Sequence, residues 1–288
     1  MFENYLANKK DLKAIEEAIS VVWQKELDFI FNDKNLIKNV IVISYDSKYI
    51  YIWTKIFLPK YKKLSSQLKD YNLYKIRHNI NIDDDDEQLG WYAGLKIEKI
   101  AKYLPKELTI DNYQYPKISG CLLQPFIKSH INKKDAYDTK ESYLATIVHE
   151  FGHIYFDQHK LYWYSDKKEN LKYLKVALDL YNTKKVNLKN IKIKIPSYMS
   201  LTELYAFCAE YTVASLFWPK YKTKLDMVNA KIIELQIENE VNKNLNIQDS
   251  VLDAEKGKHI FALTIGKIIL SLFPDSWPQK VLSTNQLD

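Results

Sequence analysis

The 288-residue chain is 47% hydrophobic and 14% aromatic, enough apolar surface for a packed core in one large domain or two modest ones. Its formal net charge is +6, but the lysines are spread along the chain and largely accompanied by acids, which argues against a dedicated nucleic-acid face. No run approaches the ~18 apolar residues of a membrane span, and Met1-Phe2-Glu3-Asn4 lacks the basic start and apolar stretch of a secretory signal. The expected setting is therefore cytoplasmic, with neither a membrane nor a nucleic acid as partner. Cys121 and Cys208 sit in apolar surroundings and read as buried thiols rather than a disulfide.

In chain order, residues 11–31 place Leu12, Ile15, Ala18, Ile19, Val22, Trp23, Leu27 and Ile30 at helical spacing, which predicts an amphipathic helix. Residues 40–44 and 49–57, rich in β-branched and aromatic side chains and separated by the turn-prone Tyr45-Asp46-Ser47-Lys48, predict a β-hairpin. The lysine-rich residues 60–74 read as helical, the acidic block 83–87 as a solvated loop, and residues 91–104 as a helix. Residues 118–127 read as a strand whose Pro125 suits a sheet edge. A helix is expected from a cap at Asp138 or Thr139 to about Gln158, and further helices at 168–181, 201–218, 223–241 and 254–273.

Within the first of these helices, the stretch Ile147-Val148-His149-Glu150-Phe151-Gly152-His153-Ile154-Tyr155-Phe156 carries the pattern HExxH in an apolar run. On an α-helix His149 and His153 point the same way, about 40° apart around the axis and about 6 Å along it, so both neutral imidazoles can serve one Zn²⁺. Glu150 lies at the margin of that face, placed to hydrogen-bond a water in the metal's open position. Gly152 costs a helix about 1 kcal/mol relative to Ala, which suggests close approach. The plainer alternative is a buried helix whose two His and one Glu satisfy one another.

Catalytic zinc usually takes three protein ligands, and three downstream residues compete for the third place. His159 has the spacing of the metzincin pattern HExxHxxGxxH, with Met199 resembling the Met-turn, but position 156 is Phe rather than Gly, and unbroken helix carries His159 about 240° away from His153. Glu203 and Glu210, seven residues apart on one helix face, offer the carboxylate of a gluzincin-type His₂Glu site. Glu203 has an ordinary job available in a capping box with Ser200, and Glu210 has one as the group that orients a ligand histidine through its other nitrogen.

The motif His149-Glu150-Phe151-Gly152-His153, followed by Ser197-Tyr198 and then Glu203-Leu204-Tyr205-Ala206, resembles the catalytic domain of anthrax lethal factor and the related Pro-Pro endopeptidases over residues 141–217. That resemblance implies His149, His153 and Glu203 as zinc ligands and Tyr198 as the oxyanion donor. The expected fold is α+β: a mostly helical, zincin-like catalytic region at 118–288, with a small sheet whose edge strand flanks the HExxH helix, behind an α+β region at 1–117.

The chemistry so implied is peptide hydrolysis in a peptide or protein substrate, with Glu150 as general base. His259 is the second candidate donor to the oxyanion, and a surface histidine near a helix start is its plainer reading. Residues 119–127 are expected to pair with an extended substrate, while Tyr155 and Tyr162-Trp163-Tyr164 read as packing before cleft lining. The alternative of another class is a zinc-binding regulatory or partner-binding protein with a zincin fold and no turnover.

Overall fold

The computed structural model describes residues 6–79, 103–108, 124–125, 140–159, 193–194, 198–223, 225–226, 262–263, 266–267, 269–271, 273–283 and 286–287. These belong to two units, Met1–Tyr155 and Phe156–Asp288.

In the first unit, helix α1 (Lys9–Val22) begins at a reciprocal cap: the Asn8 side chain accepts from the Lys10 N–H at 2.7 Å, and Asp11 accepts from the Asn8 N–H at 2.7 Å. Ala14, Ile15, Ala18, Ile19 and Val22 form its buried face. The helix does not run to residue 31 as the apolar spacing predicts. Gln24 turns to extended backbone, residues Lys25–Leu27 make a single 3₁₀ turn, and the Lys34 ammonium donates to the carbonyls of Trp23 and Gln24 at 3.3 Å each. A cation thus satisfies carbonyls that another turn would have used. Leu27, Ile30 and Phe31 are still fully buried, so the continued apolar spacing records burial rather than helix.

The hairpin forms as expected from β1 (Val42–Tyr45) and β2 (Tyr49–Thr54), antiparallel with Ile43 opposite Ile52. Asp46 closes it, accepting from the Lys48 and Tyr49 N–H groups at 2.8 and 2.7 Å and from the Tyr51 hydroxyl at 3.1 Å. β2 is buried on both faces, which explains its unbroken apolar run. Ile50 and Ile52 join a core with Ile41, Ile43, Tyr74, Leu104 and Leu108, while on the other face the Trp53 indole donates to Glu16 of α1.

The helix expected over residues 60–74 is absent. In its place stand β3 (Lys62–Leu64) and β4 (Asn72–Arg77), and β4 pairs antiparallel with β2 from Tyr49↔Arg77 to Thr54↔Asn72. Helix preference among lysines amounts to only tenths of a kcal/mol per residue. A full ladder plus complete burial of Leu73 and Tyr74 outweighs it. The loop between is held by the Gln67 N–H on Glu16 at 3.2 Å and the Leu68 N–H on Ser66 Oγ at 3.1 Å.

β5 (Gln124–Pro125) pairs parallel with β1, giving the strand order β3-β4-β2-β1-β5 and placing Pro125 on an edge, as its missing N–H favours. Helix α2 (Lys140–Gln158) starts and ends where expected.

The second unit contains α3 (Tyr198–Phe217), α4 (Trp277–Ser283) and a short antiparallel pair, β6 (Ile193–Lys194) with β7 (Gln286–Leu287). Tyr205 of α3 packs edge-on to Trp277 with ring centroids 5.0 Å apart and also meets Phe156 at 5.9 Å. Cys208 is a free, fully buried thiol as expected, and burial pushes its ionisation well up. At the helix end, burial works against the charge of Asp226. Hydrogen bonds from Lys222 and the Tyr211 hydroxyl outweigh it and hold the carboxyl below its ordinary value.

The fold is thus mixed helix and small, mainly antiparallel sheet, and among the described residues no helix is long and apolar enough to cross a membrane. The acidic block 83–87, Cys121 and the expected helix 168–181 lie outside the described residues, as do 91–102, 227–241 and 254–261.

Candidate metal centre

Helix α2 is apolar on most of its circumference: Leu144, Ile147, Val148, Phe151, Ile154 and Tyr155 are all buried. Between them stand the polar members of the motif, His149, Glu150 and His153. The Nε2 atoms of His149 and His153 stand 3.1 Å apart, with ring centroids 4.7 Å apart and planes at 76°. With Glu150 they form a group whose potential ligand atoms lie within 4.8 Å of one another.

Two imidazole nitrogens come this close only when a proton or a cation lies between them. Bound to one tetrahedral zinc at about 2.0–2.1 Å each, they would stand about 3.3 Å apart. The observed separation differs by about 0.2 Å, so the pair fits the ion with little rearrangement. The donors, two imidazoles beside a carboxylate, suit zinc better than the harder cations that prefer all-oxygen sites.

Three contacts within the first unit fix the helix that carries the pair. Lys140 makes an ion pair with Glu17 of α1, and Tyr143, 6% exposed, is hydrogen-bonded to Ser44 of β1. Burial raises the Tyr143 hydroxyl above the ordinary range for a phenol, so it stays neutral. The Tyr155 hydroxyl accepts from the Asp33 N–H at 3.1 Å and donates to Asn32, while its ring packs edge-on to Phe31 at 5.4 Å. Tyr155, two residues past His153, is therefore an anchor of the helix. Its partners lie more than 120 positions away in the chain, so no local pattern could have flagged the contact.

The other sequence candidates are placed as follows. α2 runs unbroken to Gln158, and Phe156, where a metzincin would have its turn-forming Gly, is a fully buried core residue. His159 follows the end of the helix, its N–H bonded to the Phe156 carbonyl at 3.1 Å, so the bend that would return it to the motif does not occur.

Glu203 is 5% exposed on α3, and its Oε2 is out of contact with solvent. α3 begins at Tyr198, so Ser200 stands in its first turn rather than ahead of it. Glu203 is a buried carboxylate, and burying such a group is costly unless it meets a donor or a cation. Glu210 is only half-buried and accepts from the Tyr221 hydroxyl at 3.0 Å, a local structural role. Tyr198 is the first residue of α3. His259, residues 162–164 and all of 118–127 except β5 lie outside the described residues, as does the side chain of Tyr198.

Comparison with known protein families, with curated proteins and with solved structures finds no match to this chain.

Proposed function

We propose that this chain is a zinc-dependent metallopeptidase of the gluzincin type, acting on peptide or protein substrates. The observation that carries the reading is the Nε2 pair of His149 and His153, 3.1 Å apart on a firmly anchored helix with Glu150 beside it. His149, His153 and Glu203 would hold the ion. Glu203 takes the third place on the strength of the sequence resemblance, supported by its burial.

When bound, zinc supplies a Lewis acid that lowers the pKa of water towards 7 and polarises the scissile carbonyl. Glu150 takes the proton of the attacking water and returns it to the leaving amine. Tyr198 is assigned to donate to the oxygen that gains negative charge, and the edge of the sheet beyond β1, where β5 lies, to align the substrate backbone.

Cleavage of a broad fluorogenic peptide library tests the reading. The wild type is expected to cleave a subset of peptides, to stop with a zinc chelator and to recover on zinc addition. Glu150→Gln should lower turnover roughly 10²–10⁴-fold. Cleavage indifferent to chelator would contradict the proposal, and zinc binding without any cleavage would favour a non-hydrolytic zinc protein instead.

A further inference from the structure

The connection between β2 and β3 presents two neighbouring apolar side chains to solvent, Ile56 at 38% and Phe57 at 68% exposure. Loose backbone does not account for this. The Ile56 N–H donates to Thr54 Oγ1 at 3.1 Å, the Asn72 side chain donates to the Ile56 carbonyl at 3.4 Å, the Leu58 N–H donates to the Tyr74 hydroxyl at 2.8 Å, and a turn closes from Tyr61 N–H to the Leu58 carbonyl at 3.2 Å. Leu58, buried to 1% exposure, pins the loop, and the residues before it are held outward. An apolar tip fixed on a rigid loop marks a contact surface more than a stray surface residue does.

The sequence around the tip is rich in lysine, between Asp46 and Asp70. From Ser47 through Lys69 the chain has six lysines (48, 55, 60, 62, 63 and 69) and no acid, in a chain whose lysines elsewhere largely have acidic company. Lys60, Lys62 and Lys63 are all exposed. Lys62 pairs directly across the ladder with Lys75, whose ammonium lies over the Tyr49 ring at 3.6 Å, and Lys62 is exposed to meet an anion. Lysines on an edge strand also discourage edge-to-edge aggregation, but that role accounts neither for Lys60, which is off the strand, nor for the apolar pair.

We infer that the residue 55–63 loop is a peripheral contact for an anionic phospholipid surface, with Phe57 and Ile56 entering the interfacial layer and Lys60, Lys62 and Lys63 meeting headgroup phosphates. Two exposed apolar side chains with exposed lysines three to six residues from Phe57 match a surface that is anionic outside and apolar beneath, which favours a bilayer over a protein partner. Such a contact needs no spanning segment. It is independent of the metal centre.

Flotation of the full chain with vesicles of phosphatidylcholine alone, or with about 30% phosphatidylserine added, tests the inference. Binding is expected to the anionic vesicles only, and raised salt should weaken it. Ile56→Ser/Phe57→Ser should lower the partition at least tenfold, and each of Lys60→Ala, Lys62→Ala and Lys63→Ala about fivefold. These side chains are exposed, so thermal melting should barely change, and that control separates lost binding from lost folding. Equal flotation with both vesicle types would overturn the inference. So would anionic binding that survives the Ile56/Phe57 change and is matched by a soluble polyglutamate, which would point to an acidic protein partner. Conversion of a dimer to a monomer by that change, without vesicle binding, would identify a self-association face and equally overturn it.

Discussion

A methyl group added at Gly266 would lie 2.4 Å from Cδ1 and 2.7 Å from Cε1 of Phe207, and 3.4 Å from the Cys208 sulfur. Gly→Ala in a helix ordinarily gains about 1 kcal/mol. Here the ring is 4% exposed on α3, so it must shift within a packed interior. Gly266→Ala is therefore expected to destabilise the protein by about 1–3 kcal/mol, measured by denaturant unfolding, and a stabilising result would show that the helices can separate cheaply. A sequence marks such a glycine as costly, yet it cannot say which ring it faces. The same limit applied to Glu203: its spacing from Ser200 fits a capping box, while α3 starts at Tyr198, three residues before the expected Leu201.

The elements legible in the sequence are those whose pattern is local. The β1–β2 hairpin was readable from β-branched runs around Asp46, and α2 and α3 from long apolar stretches with clear ends. β3 and β4 were not, because their lysine-rich composition suits either state and the decision lies in pairing with β2, some 20 residues earlier. The end of α1 was misread because Lys34, more than ten residues away, completes it.

The anchoring of α2 is likewise non-local and carries a consequence. Tyr155→Phe removes the acceptor of the Asp33 N–H and the donor to Asn32, and because both partners belong to exposed residues that can turn to water, the loss is the net worth of such a bond, about 0.5–1.5 kcal/mol. The expected outcome is a loss of stability of that size in thermal or denaturant melts, with the zinc stoichiometry unchanged. Loss of zinc in a folded Tyr155→Phe protein would mean that the anchor sets the geometry of the histidine pair.

At the scale of the whole molecule, the HExxH pattern was the most legible feature of function, because helical geometry alone brings its two imidazoles together and the structure shows them 3.1 Å apart. The third place was not legible from spacing alone, since the residue proposed for it, Glu203, belongs to a separate helix some fifty residues on. The zinc content of the purified protein, set beside that of His149→Ala, Glu150→Gln and Glu203→Ala, addresses the central claim directly. The expected result is about one zinc in the wild type and in Glu150→Gln, and little or none in the two ligand variants. A wild type that cannot be loaded with zinc, or a Glu203→Ala protein that keeps it as tightly, would contradict the assignment.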